Sequence, residues 1–149
     1  MKCFLLTCAA FAFCVCTGVW QSRGQTPSNV SATVAFDNGE TATVTDFSNQ
    51  IGVQSGEFIT ITMQFPAGEA AGKPVVVNLP DGGSSSVAGN LPVANSDGSI
   101  TFMFVATADP GANRVNVHIG SITVCLQLWV MDSRNPQNNP PNLAAVSHN

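Results

Sequence analysis

The chain has 149 residues, 44% of them hydrophobic and only 9% charged, with a formal net charge of −4. That length suits one globular domain with appendages and is too short for two comfortable ones. The acidic balance and the lack of any basic run argue against nucleic acid as a partner.

Residues 1–24 read as a secretory signal peptide. Lys2 precedes an apolar run over residues 4–20, FLLTCAAFAFCVCTGVW, which gives way to the polar QSRGQ. Ser22 and Gly24 place small residues third and first before a cut between Gly24 and Gln25, with a cut after Gly18 as second choice. A lipoprotein cut is disfavoured, because Thr7, Phe13 or Val15 precedes each candidate cysteine where a small residue is required. The alternative is an uncleaved anchor, since about 17 apolar residues is near the lower limit for crossing a bilayer. A membrane is a partner only in that case. Cleavage removes Lys2 and Arg23 and leaves three basic residues against nine acidic ones, a net charge of −6. It also leaves Cys125 as the single cysteine, so no internal disulfide can form and packing must hold the fold. The expected destination is extracellular or the cell surface, with the periplasm as a further possibility.

From Asn29 to Met131, turn chemistry recurs about every ten residues, at DNG, QSG, PAGEAAG, PDGG, NSDG, DPG and IGS. Between these turns the apolar residues alternate with a period of two, and no helical spacing is sustained. In chain order, VSATVAF and ETATVTDF form an expected hairpin across Asn38-Gly39, a favoured type I′ pair. FITITMQF points Ile59, Ile61, Met63 and Phe65 inward, and PVVVNL points Val75, Val77 and Leu79 inward. SITFMFVA contributes Ile100, Phe102, Phe104 and Ala106. RVNVHI gives Val115, Val117 and Ile119, and ITVCLQLWV gives Ile122, Val124, Leu126, Leu128 and Val130. About seven strands in about 100 residues is the size and count of an immunoglobulin-like antiparallel β-sandwich, an all-β fold, expected over residues 25–131. Residues 132–149, DSRNPQNNPPNLAAVSHN, are rich in Pro and Asn and are expected as a disordered or loosely attached tail.

The run DGSITFMFVATADPGANRVNVHIGSITVCLQLWV resembles the last three strands of bacterial immunoglobulin-like and fibronectin type III-like domains, which end on a strand, a Pro-Gly corner, an alternating strand, a Gly turn and a last alternating strand. The likeness covers about 35 residues well and the earlier strands loosely. It implies a sandwich fold and carries no chemistry of its own. The tyrosine usual at that corner is absent, Asn113 standing after Pro110-Gly111-Ala112, as is the cysteine pair of antibody domains.

No catalytic centre is expected. Apart from His148, the only histidine is His118, on the outward face of its strand, and no nucleophile elbow joins it to Ser and acid. Asn95-Ser96-Asp97-Gly98 resembles the start of a calcium loop but lacks the downstream Glu, so a plain turn accounts for it and no metal is expected. PDGGSSS has no following lysine or helix to make a phosphate cradle, so no cofactor is expected either. The Asn29-Val30-Ser31 sequon would matter only in a eukaryotic secretory pathway.

One face remains of interest. The Gly120-Ser121 loop sets the register of the last hairpin, so that Val117 faces Val124, Asn116 faces Cys125, Val115 faces Leu126 and Arg114 faces Gln127. Cys125, Gln127, Trp129 and Met131 then share the outer face with His118. If a terminal segment covers this face, Cys125 and Trp129 are packing residues. If nothing does, it is a patch for a protein or polysaccharide partner at the cell surface. The expected function is a secreted or surface structural or binding module without catalytic activity. A carbohydrate-binding or adhesive module is the nearer alternative and a secreted hydrolase the remoter one.

Overall fold

A computed structural model describes residues 29–87 and 92–147. The expected signal peptide lies outside the described residues. The period-two alternation resolves into strands β1 (Ser31–Ala35), β2 (Thr41–Val44), β3 (Gln50–Val53), β4 (Phe58–Gln64), β5 (Val75–Asn78), β6 (Ser84–Ser85), β7 (Ser99–Val105), β8 (Gly111–Ile119), β9 (Ile122–Val130) and β10 (Ala145–Val146). One turn of helix, α1 (Ala67–Ala70), follows β4, and a single 3-10 turn occupies Pro136–Asn138. One five-stranded sheet has the order β2-β1-β4-β7-β6 and the other β10-β3-β9-β8-β5.

The inward sets close on one another as a β-sandwich-like core. Ile59, Ile61, Met63, Phe65, Phe102 and Phe104 from the first sheet are buried in one cluster with Val115, Val117, Ile119, Val124, Leu126 and Leu128 from the second. The expected register of the last hairpin is met along its length, from Ile119 opposite Ile122 to Gly111 opposite Val130. Gly120 has φ +58° and Ser121 has no positive φ, the pattern of a type II′ turn.

Three expectations need correction. The β1–β2 turn is not type I′, because that turn needs positive φ at both central residues and Asn38 has none. Gly39 N–H donates to Phe36 O at 3.0 Å and Phe36 N–H to Glu40 O at 2.9 Å, with Gly39 at φ +85°. This is a type I turn closed by a glycine bulge, one residue longer than the Asn-Gly pair suggests. Second, ten strands replace about seven; of the additions, β6 and β10 are two residues each, and β3, four residues, has three consecutive buried positions and so no alternation. Third, residues 132–147 are built into the fold instead of forming a disordered tail. Residues Ala145 and Val146 pair in parallel with Ile51 and Gly52 of β3, Ala144 N–H donates to Gln50 O at 2.8 Å and Ser147 N–H to Gly52 O at 3.0 Å. The cause is an otherwise open edge on β3, whose polar backbone groups require partners.

Chain crossing between sheets happens at Asp46, whose carboxylate accepts from the Ser48 N–H at 3.0 Å and the Ser48 hydroxyl at 2.6 Å. This cap turns the chain out of β2 and delivers β3 to the second sheet, parallel to β9, with Ile51 beside Leu128 and Gly52 beside Trp129.

Candidate functional site

The outer face of the second sheet holds all five residues singled out from the sequence, and each is half-buried: His118 on β8, Cys125, Gln127 and Trp129 on β9, and Met131 just beyond it. At one end His118 Nδ1 lies 2.9 Å from Thr123 Oγ1, its cross-strand partner. At the centre Arg114 Nε and Nη2 each reach the Asp81 carboxylate at 2.7 Å, and Arg114 N–H donates to the same carboxylate at 2.8 Å. These bonds hold the Asp81 carboxyl below the usual carboxylate range and raise Arg114 above its own.

Cys125 sits opposite Asn116, next along β9 from the Arg114 row. Burial pushes its thiol pKa up, with the Arg114 charge opposing the rise and Asp81 adding to it. Burial outweighs the pull of the guanidinium toward the thiolate, which Asp81 partly offsets. Gln127 Nε2 donates to Phe47 O at 3.2 Å, which draws the β2–β3 connection over this part of the face.

At the other end the C-terminal segment lies over the sheet. Gly52 makes this possible: a Cβ there would stand 2.8 Å from Leu143 Cδ1 and 3.0 Å from Met131 Sδ. Trp129 is the register neighbour of Gly52, and its indole Nε1 is buried with no hydrogen-bond partner among the described residues. Cys125 and Trp129 are both half-buried on this face. On the β8 side Arg114 is exposed and Asn116 and His118 are half-buried, beside Val76 of β5, which is opposite His118 and 39% exposed.

Two features were missed in the sequence. Glu57 is only 8% exposed, and its carboxylate accepts from Gln54 N–H at 2.6 Å and from the Ser147 hydroxyl at 2.5 Å. A local signal existed for the first bond, since Gln54-Ser55-Gly56-Glu57 is a turn, but nothing local announces a serine 90 residues away. Asn113, 2% exposed, accepts from Thr107 N–H at 3.0 Å and donates to Thr107 Oγ1 and Ala112 O, each at 3.0 Å. It ties the start of β8 back across the Pro-Gly corner, the place a tyrosine holds in immunoglobulin-like domains. Among the described residues no group of three or more His, Cys, Asp or Glu side chains could hold a metal ion.

No helix among the described residues is long and apolar enough to cross a membrane. Comparison with known proteins found no family model and no curated protein that matches this chain, so the functional reading rests on geometry.

Proposed function

We propose that the protein is a secreted or cell-surface immunoglobulin-like module that works by binding, not catalysis, and that the outer face of its second sheet meets the partner. The carrying observation is the strand order. Within the first sheet, β1-β4-β7-β6 follows the A-B-E-D order of immunoglobulin domains, and within the second, β5-β8-β9 follows C-F-G. Lettered this way, the seven strands also keep their alphabetical order along the chain. Asn113, at the start of the strand lettered F, supports the reading by doing with an amide what a corner tyrosine does with a hydroxyl, bonding a few residues upstream.

His118 is engaged with Thr123, its cross-strand partner on a sheet face, and not with a nucleophile and an acid, which favours recognition over hydrolysis. The face offers hydrogen-bonding groups from Asn116, Asn78 and His118 around the Arg114–Asp81 pair, a polar surface suited to a protein or polysaccharide at the cell surface. The test is binding of the chain from Gln25 onward to glycan and matrix-protein arrays. Specific binding that is lost in an Asn116→Arg variant of unchanged thermal stability supports the reading. Binding no stronger than that of an unrelated β-domain, or unchanged by the substitution, overturns it.

A further inference from the structure

The two sides of β3 differ. One side pairs with β9 over four positions, Gln50–Val53 against residues 127–130, and the other with only Ala145 and Val146. Along that second side runs a groove with three kinds of recognition. The β3 backbone offers its edge, with Gln50 O and Gly52 O accepting from Ala144 and Ser147. Gly52 leaves a notch into which Leu143 and Val146 reach beside Met131. At the end of the notch stands the buried Glu57 carboxylate, which takes the Ser147 hydroxyl, while Gln54 Nε2 donates to Ser147 O at 3.2 Å. A buried carboxylate deprived of a donor is costly, so this end of the groove selects an occupant with a hydroxyl in the right place.

The loop that leads to the occupant is bonded largely to itself. Asp132 accepts from Arg134 N–H, Asn135 N–H and Asn138 Nδ2, and its own N–H donates to Asn139 Oδ1. That loop can keep its shape while the residues after it leave the groove.

We propose that the β3 edge is a strand-accepting groove for an extended peptide of a partner protein, and that residues 143–147 occupy it as a built-in competitor. Those residues, Leu-Ala-Ala-Val-Ser, display the chemistry the groove takes: an apolar side chain, two small residues, a second apolar side chain, then a serine or threonine, running parallel to β3. This is strand addition to a sheet edge, in which backbone bonds supply affinity and alternate side chains supply specificity. The inference rests on the reading of the protein as a binding module and gives it a second binding place, distinct from the outer sheet face, with the class of its occupant. Because the resident segment is tethered, a free peptide must compete against an effective concentration on the order of millimolar.

The probe is a fluorescein-labelled synthetic peptide, NLAAVS, added to the full chain and to a full-length Val146→Asp variant whose own segment is weakened. The expected result is saturable binding to the variant, about tenfold or more tighter than to the unaltered chain, and about tenfold weaker binding by a peptide carrying alanine in place of the serine. If melting shows that Val146→Asp does not fold, a full-length Ser147→Ala chain serves instead, with the same two expectations. Absence of saturable binding to a folded variant, or binding indifferent to the serine, overturns the groove. Array binding through Asn116 without peptide binding rejects the groove alone, and peptide binding without array binding rejects the sheet face alone.

Discussion

At the scale of single residues, the side chains that matter are those whose polar atoms are spent on holding the backbone of a turn. Asn113 is the clearest. It is buried and three of its hydrogen bonds cross or flank one corner, so Asn113→Ala leaves the Thr107 N–H without its acceptor and should cost about 1–3 kcal/mol. Urea unfolding measures this, and a loss below about 0.5 kcal/mol would mean that the corner is held by other contacts. Cys125 is the opposite case, a reactive group made quiet. With its thiol pKa raised by burial, it should label slowly in the folded chain and fully after denaturation. Cys125→Ser should leave the oligomeric state as it was, and a disulfide-linked dimer on a non-reducing gel of the unaltered chain would refute this. The register of Cys125 was legible in the sequence because the Gly-Ser loop is two residues long. Its half-burial was not, because alternation gives the face of a residue and not what lies over that face; the contacts made there by Phe47 and by Leu143, to Gln127 and Gly52, come from far off in sequence. Asp81 gives a pH dependence of known sign. Its folded pKa is depressed by Arg114, so the stability it contributes is present above the unfolded carboxylate pKa of about 3.9 and is lost as pH falls through the lower folded value. Since Arg114 is 53% exposed, solvent screening keeps the contribution under about 1 kcal/mol. Asp81→Asn should flatten the acid limb of the stability profile by no more than that, and a larger change would show that the pair also fixes the β5–β6 connection.

At the scale of elements, strands rich in β-branched residues were readable, down to the four residues of β2 and β5, while β3, β6 and β10 were not. β4, β7, β8 and β9 present their apolar residues on the side assigned from the sequence, and the difference between faces can be measured. Leu126 and Phe104 are fully buried, so truncating either to alanine should cost about 2–5 kcal/mol, through lost transfer energy and the cavity left behind. Thr101 faces out, and its hydroxyl lies 2.9 Å from that of Thr62 on the neighbouring strand. Thr101→Ala should cost less than about 1.5 kcal/mol. Equal losses in thermal melts would mean that the faces are assigned the wrong way round. β3 escaped notice for a physical reason: only four residues long, with Ile51, Gly52 and Val53 all buried, it shows no outward polar position beyond Gln50. Ile51 and Val53 face the core, and on the opposite face Gly52 lies under Leu143 and Met131. A strand buried on both faces loses the alternation by which strands are recognised. The same concealment made residues 143–147 look dispensable, because a two-residue strand declares itself only through the edge it completes.

At the scale of the whole molecule, the all-β class was legible because turn residues punctuate the chain throughout, while the sheet to which each strand belongs was not. Membership depends on crossings such as Asp46, where a single Asx cap sends the chain from one sheet to the other. The core's outermost member toward the N-terminus sets a limit on processing. Val30 is 3% exposed and packs in the shared cluster, and Ala32 and Val34 follow it inward along β1. A processing cut must therefore fall before Val30 if the edge of the core is to stay filled, since removing Val30 opens apolar surface worth on the order of 1.5–3 kcal/mol. The cut between Gly24 and Gln25 satisfies this with a few residues to spare, and it falls after the apolar run, so no long hydrophobic segment remains attached to the domain. It also discards two of the five basic residues, and the charge of −6 then spread over the domain opposes self-association. N-terminal sequencing of exported protein should accordingly begin at Gln25, and that material should run as a monomer on sizing. Exported or membrane-bound material that begins at Met1 would replace the soluble module with one held at the membrane by residues 4–20. In that event the outer face and the β3 groove would present to partners from a fixed surface, and membrane-fraction binding would become the form in which both must be measured.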